Sequence, residues 1–590
     1  MQLADWWVLG GYLTLTAAIG LAMIRRVRGQ EDYFLGSRSF GKLLQTFAAF
    51  GSGTGPSDPV NLARSVYVAG ASGMWAVMYW LFMTPFYWIS ATWYRRMRVS
   101  TLGDWFVERY QSPGLGGAYA AFGIAYFIIY GAMGFAASGA VAAQLVGTDV
   151  VSWGDWTVPI ELVVIPAIGA VVLLYGVAGG LHAAYWTDLL QGACIIALSL
   201  ALVPAGLEQL VEEFGEPGRK GWLYGFELLH EQLPAESFQM TGAGATAFTP
   251  GFVLGLIVLN LAGVAVQPHF IATGGGAARS EFDARVGLVA GNLLKRFCTI
   301  GWLVSALIAA ALYAGDAVLA ANPDRAWGVA STRLLAPGLV GLMLACLLAA
   351  LMSSVDAYMI VGSALAVRNL YAPFMNPQVD DAASLRIARW TSGVIVCGAV
   401  ATAIGVRDVF RLLELTWLAP VLFAAPFWVG KYWRRATTAA AWATVAFSLV
   451  VFFLLPWVRP GFSVYRLAGI DVALLPAGWR DLAPLAPQIA LPFVVMVLTS
   501  LATRSREDDA LIRHFVKMRL PVLPDSAADA RQLAAAYADP ATTESRKLWP
   551  DSAWEFNRPT RVDVAGIVAT VGLCVVLLVL TQGVLALGAN

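Results

Sequence analysis

Charge is scarce in this chain. Asp, Glu, Lys and Arg make up 13% of its 590 residues, about half the share of an ordinary soluble domain. The basic residues are dispersed and the net charge is +1, which leaves no nucleic-acid footprint. Histidine occurs four times, never in HExxH or a similar ligand spacing, so no zinc-dependent chemistry is indicated. The five cysteines, Cys194, Cys298, Cys346, Cys397 and Cys574, all fall in apolar stretches and none forms a CxxC. They read as small core residues rather than disulfides or metal ligands. The phosphate-loop pattern GxxxxGK[ST] is absent, so the glycines of 51–55 do not make a nucleotide site. With no nucleophile–base constellation either, an enzyme is disfavoured and no cofactor is expected.

Long apolar runs take the place of charge. Hydrophobic residues make up 58% of the chain and the mean hydropathy is +0.66, too apolar for a soluble protein. Fourteen runs from 5–24 to 562–585 are long enough to cross a bilayer, which takes about 20 residues. The expected fold class is an all-α polytopic membrane protein with about 14 transmembrane helices. The first run is not a cleaved leader: Asp5 precedes it and Arg25, Arg26 and Arg28 follow it, the reverse of a basic start. Lys and Arg concentrate in alternate loops, which puts both termini outside a multi-pass plasma (inner) membrane.

Two runs look broken. One contains GSGTGPSDP (Gly51 to Pro59) and another LNLAGVAVQPH (Leu259 to His269); glycine loosens a helix, and proline removes a donor and clashes with the turn before. Interruptions at corresponding places in two halves predict an inverted-repeat transporter. On that basis 1–42 is an extra helix and an internal loop. Residues 43–432 form a five-plus-five inverted-repeat core, and 433–590 add C-terminal helices around a cytoplasmic loop, 504–561. Within that loop, EDDALIRHFVKMRLP puts Leu511, Ile512, Phe515, Val516 and Met518 on one side of a helix, with Arg513, Lys517 and Arg519 at its borders. That pattern predicts a helix resting at the cytoplasmic membrane surface, as a lever or packing strut rather than a catalytic domain. The acidic stretch 207–249 reads as a solvated loop.

A few polar groups stand inside the apolar runs. The stretch YGVAGGLHAAYWTDLLQ (Tyr175 to Gln191) carries Asp188 into a span, at a cost of roughly 2.5–3.5 kcal/mol or more unless it is paired, hydrated or coordinating an ion. Two readings stand: a functional carboxylate, or an Asp capping a helix at the membrane edge. In AALMSSVDAYMIVGSALAVRNLY (Ala349 to Tyr371), Ser353 and Ser354 supply hydroxyls and Asp356 shares the face of Ser353, a credible cation site beside a broken helix. Serines also help membrane helices pack, and that reading stands beside it. Asp58 either meets a substrate ammonium, favouring a cationic or zwitterionic solute, or pairs with Arg64. Tyr79, Trp80 and Thr84, with Asn260 and Gln267, either line a cavity or pack helices.

Several of these motifs carry a resemblance. The aromatic residue, GGL, spacer, TD and Q of 175–191 resemble the signature of the sodium/solute symporter family, and SSVDA is similar to its paired serines. DYFLGSRSFGKLL (Asp32 to Leu44) resembles the family's entry to its first core helix, and STLGDWFVERY (Ser100 to Tyr110) the internal loop after the next helix. VQPHFIA (Val266 to Ala272) is similar to the same region in its bacterial sodium/proline-type members. The resemblance implies a sodium site from the carbonyls of Gly51, Thr54 and Ala350 and the hydroxyls of Ser353 and Ser354. It matches Asp188 to an aspartate that some members use for a second sodium. Those members add serines where this chain has Asp356 and Ala357, so a second cation site would rest on Asp188 and Asp356. It also places Ser57 and Asp58 among polar substrate groups, and the sparse amides disfavour sugar.

The sequence therefore predicts a sodium-coupled secondary symporter that imports a small polar organic solute by alternating access. An amino acid or similar zwitterion is the favoured solute, and sodium and the lipid bilayer are the remaining partners. The rivals are a proton-coupled transporter using Asp58 or Asp356, and a membrane sensor signalling through 504–561.

Overall fold

The computed structural model describes residues 1–24, 30–147, 150–153, 156–176, 180–242, 248–475, 477–506 and 508–589. Arg25, Arg26, Arg28 and Gly179, which the sequence singled out, lie outside the described residues. Helix α1 (Leu3–Ile24) is followed by α2 (Lys42–Ser52) and α3 (Ser57–Ala69), one apolar segment cut in two by Gly53–Thr54–Gly55–Pro56. The chain returns through short turns over 70–83 into α4 (Thr84–Met97). Helix α5 (Leu102–Tyr110) starts on a Thr101/Asp104 capping box, and α6 (Pro113–Val146) starts on the Ser112 hydroxyl with proline at its first turn, where a missing N–H costs nothing. Then come α7 (Glu161–Gly176) and α8 (Gly180–Phe214).

The second broken segment is α9 (Pro250–Val264), which stops before Gln267–Pro268 and resumes as a single turn, Phe270–Thr273. Helices α10 (Glu281–Leu312), α11 (Leu339–Leu365), α12 (Asp381–Val406), α13 (Val409–Leu418) and α14 (Val421–Tyr432) complete the central bundle. Beyond it lie α15 (Thr438–Leu449), α16 (Ala486–Ala502), α17 (Asp509–Arg519), α18 (Ser526–Ala538) and α19 (Arg561–Leu585). Helix α11 is buried along almost its whole length between α6, α8 and α12. Outward-facing Trp390, Trp442, Val568 and Val576 are exposed on α12, α15 and α19. That apolar exterior suits hydrocarbon and not water.

Helix α10 crosses α2 at Gly291, where a Cβ would come within 2.8 Å of the Thr46 carbonyl and 2.9 Å of Ala49 and of the Phe50 nitrogen. A side chain there would force the helices apart. One turn further on, Lys295 arrives level with the break after α2.

Some expectations change. Among the described residues, the fourteen apolar runs fall mainly on helix, apart from the two breaks and the strand end at 158–159. Among the described residues, however, nine helical runs are long and apolar enough to cross a membrane, and three shorter apolar helices accompany them. The break shortens α9, and 57–97 runs through its turns as one element of 41 residues. The chain is also not purely helical. Strands β1 (Val150–Trp153) and β2 (Trp156–Pro159) pair antiparallel, Val150 with Pro159 and Trp153 with Trp156. The stretch 207–249 is not simply a loop: α8 runs to Phe214 and Trp222–Gln232 is helical. The Trp75 indole donates to the Met240 carbonyl (2.5 Å), and this region closes over the turn after α3.

Helix α17 is a packing strut buried within the protein rather than a helix lying on a membrane surface. Leu511, Phe515, Val516 and Met518 are buried, but so are Lys517 and Arg519. Lys517 pairs with Glu108, and Arg519 is held between Glu555 and Glu544 (2.8 Å each). Arg434, at the end of α14, joins the same two carboxylates. Burial raises Glu544, yet the Lys547 hydrogen bond and the Arg519 charge hold it down at about 2. Residues 504–561 are thus a folded cap tied to the bundle by buried ion pairs.

That cap should be acid-labile. Burial pushes the His514 imidazole down to about 4 despite the Glu108 carboxylate 3.8 Å away, from an ordinary value of about 6.5. Glu108 is lowered from its ordinary value, because neighbouring His514 and Lys517 outweigh its burial. The undocked chain therefore takes up protons first. Docking is strongest above about pH 6.5 and weakens as pH falls toward 4. Hydroxyl-radical labelling of buried Met518 should rise over that interval, and flat labelling would refute it.

Candidate functional site

The break after α2 is where the polar groups meet. Gly53 and Thr54 close its last turn by donating to the carbonyls of Ala49 (3.3 Å) and Gly51 (3.0 Å). Helix α11 passes alongside, and a Cβ on Gly51 would strike the Ser353 hydroxyl and lie 3.3 Å from Asp188 Oδ1. Only glycine allows that approach. Ser353 donates a hydrogen bond to Asp188 Oδ1, and Ser354 donates to the Gly51 carbonyl at 3.4 Å. Thr54 is buried nearby, and its hydroxyl has no protein hydrogen-bond partner. Ala350 is buried on α11 one turn before Ser353, and Asp356 is buried one turn after it.

Three helices thus converge on one cluster of oxygens. Hydroxyls, carbonyls and a single carboxylate are the ligands that a hard monovalent cation takes in an unwound helix. Asp188 enters this cluster through Ser353, so the sequence's two cation sets are joined at that hydrogen bond. It is no helix cap, because α8 begins at Gly180, eight residues earlier.

Beside the cluster lies a small cavity of about 20 Å³, room for a single water. Ser57, Asp58, Tyr79, Asn260 and Gln267 all line it, with Trp80. Thr84 does not; its hydroxyl accepts from Asn292 (2.8 Å). Asn61, Tyr130 and Trp417 are among the other wall residues. Asn61 Oδ1, Asn260 Nδ2 and Gln267 Oε1 are buried without protein partners, so the lining offers both donors and acceptors. A second small cavity of about 40 Å³ shares Trp80, Tyr130 and Gln267 with the first, and these three form the partition.

The second cavity holds the groups that sequence reasoning missed. Asp58 is not paired with Arg64, which binds Asp324 (3.1 Å) and stacks on Phe410. Asp58 instead pairs with Lys295 at 2.9 Å and accepts from the Gly55 amide (2.8 Å). Lys295 also donates to the Gly53 carbonyl, the last group before the break, and neighbouring Arg296 donates to the Val77 carbonyl. Both cations are over nine-tenths buried, and Arg296 Nε has no protein partner. The signal was present in the sequence. Two adjacent basic residues inside an apolar run mark a functional site by default, and neither is among the sequence-predicted site residues.

The family profile of the sodium:solute symporters matches residues 33–446. This chain belongs to the sodium:solute symporter family. Among the curated relatives of this symporter, the osmoregulated proline transporter OpuE of Bacillus subtilis (strain 168) is 24% identical over 504 residues, covering 79% of this chain and 94% of that protein. The sodium/proline symporter of Escherichia coli (strain K12) is 24% identical and covers 77% of this chain and 89% of its own. The sodium/pantothenate symporter of the same strain is 24% identical, with 77% and 91% covered. Among solved structures, a Na+-coupled sialic acid symporter in a substrate-bound outward-open state overlays with a TM-score of 0.66 at 14% identity. It covers 86% of this chain and 99% of that one, a likeness of fold. As a member of that family, the chain is a multi-pass membrane transporter that couples solute import to sodium, and its family consists of transporters, not enzymes.

Proposed function

We propose that this symporter imports a small zwitterionic solute, an amino acid or a close analogue, by alternating access. Sodium is held by the carbonyls of Gly51, Thr54 and Ala350 and the hydroxyls of Ser353 and Ser354. Asp188 supplies the nearby negative charge and, with Asp356, a second cation position. The observation that carries this reading is the contact of α2, α8 and α11 at the break, next to a cavity lined by Ser57, Asp58, Tyr79, Asn260 and Gln267. The solute's ammonium takes Asp58 and its carboxylate takes Lys295 and Arg296, so one internal ion pair is exchanged for two with the ligand. The cavities are too small for that solute as they stand, and the partition of Trp80, Tyr130 and Gln267 must part to admit it.

The two broken helices support the wider architecture. We read 43–432 as a five-plus-five inverted repeat, each half opening on its broken helix, with 1–42 and 433–590 as additions. The whole then has about fourteen spans and both termini outside the plasma (inner) membrane. Buried Asp356 favours one alternative, in which a proton replaces sodium. Proteoliposome uptake of labelled proline and other amino acids under a sodium gradient, and under a proton gradient in potassium, decides between them. Uptake driven by protons alone would overturn sodium coupling.

Ser353→Ala and Ser354→Ala should each raise the sodium concentration for half-maximal uptake while the protein still inserts. An oxygen contact to a charge is worth about 1.5–3 kcal/mol, roughly tenfold or more in affinity, and linkage carries the loss to the solute. Wild-type sodium dependence in both variants would remove the serines from the site.

A further inference from the structure

A basic cleft of about 450 Å³ lies at the end of the bundle where α4, α10 and α19 meet the cap. Arg96, Arg285, Arg519, Arg546 and Arg558 line it, against the single carboxylate of Asp563. Three of these arginines are structural. Arg96 is held by Glu281 (2.8 Å), Arg285 by Asp563, and Arg519 by Glu544 and Glu555. Arg285 is 7% exposed, and its Nη1 is nonetheless left without a protein partner. Arg546 and Arg558 are exposed, and among the described residues they form no ion pair. The cleft is therefore positively charged and its donors are only partly used.

Its other wall is apolar. Ile89, Trp93 and Ile567 line it, and next to it the outer face of α19 carries exposed Val564 and Val568. A ligand here meets arginines at one end and a hydrocarbon-facing helix at the other. We propose that this cleft binds the phosphate headgroup of an anionic phospholipid, with the acyl chains lying along α19. A soluble phosphate would use the arginines but leave the apolar wall bare. The site is separate from the solute cavity, and it links the cap, through Arg519 and Arg546, to the membrane leaflet at that end.

Native mass spectrometry of the delipidated full-length protein, titrated with phosphatidylglycerol and with phosphatidylcholine, tests this. The wild type should prefer phosphatidylglycerol. The Arg546→Gln/Arg558→Gln variant alters exposed side chains only. It should bind phosphatidylglycerol about twenty-five-fold more weakly, at about fivefold for each arginine near an anionic surface, with phosphatidylcholine unchanged. Equal phosphatidylglycerol affinity in wild type and variant would overturn the proposal. So would a thermal stabilisation by inorganic phosphate or glycerol 3-phosphate in detergent that matches the one given by phosphatidylglycerol, since that would assign the cleft to a soluble anion.

Discussion

Asp58→Asn should lower solute affinity by about a hundredfold or more. The carboxylate is paired at 2.9 Å with Lys295, itself deep in the bundle. Removing one partner of a buried pair costs on the order of 3–5 kcal/mol, because the other charge is left alone, and that is more than two decades of affinity. Lys295→Met should do comparable harm from the opposite side. The double variant separates structure from recognition. With both charges gone the stability penalty largely disappears, so its thermal midpoint should recover toward wild type, while uptake of a zwitterion stays lost. A double variant with normal uptake would reduce the pair to packing. Arg64 does not belong in this cycle, because its partner is Asp324.

Asp188→Asn should strike the ion more than the fold. The amide oxygen still accepts the Ser353 hydroxyl, so the contact between α8 and α11 survives. What disappears is the negative charge that Asp188 supplies to the cluster beside Gly51. Interactions with a charged group exceed neutral ones by about twofold, so the sodium concentration for half-maximal uptake should rise by roughly tenfold or more. In a thermal-shift assay the wild type should be stabilised by sodium over potassium, since only a ligand that prefers the folded state raises the midpoint. The variant's response should move to roughly tenfold higher sodium. An unchanged sodium response would leave Asp188 as a packing residue.

How much of this was legible in the sequence depends on range. Both helix breaks could be read, because proline and glycine act within a turn of themselves: Gly53 to Pro56 and Gln267–Pro268 end helices in any company. The apolar runs could be read for the same reason. Lining residues such as Asn260 and Gln267 were legible as polar exceptions on apolar stretches, although nothing local distinguished them from Thr84, which turned to Asn292 instead. Pairings were not legible. Asp58 finds Lys295 and Arg64 finds Asp324 across well over two hundred positions, and the nearest opposite charge in sequence was the wrong one. The surface-helix prediction for α17 failed because its pattern of apolar and basic residues suits two environments. A membrane interface and a cap rich in Glu544 and Glu555 both reward it.

The absent side chain of Gly51 has a mechanical consequence. The α2 backbone touches the serine of one neighbouring helix and the carboxylate of another, and no single helix carries the oxygen cluster by itself. Such a junction works as a clasp rather than a cup. Sliding α2 a fraction of its width against α11 disassembles the whole cluster at once, while small flexing within either helix leaves it intact. Packed interfaces switch between discrete arrangements rather than deform continuously. Occupancy of the clasp is then a nearly all-or-none gauge of whether those helices are engaged, set by position and not by the strength of any one ligand.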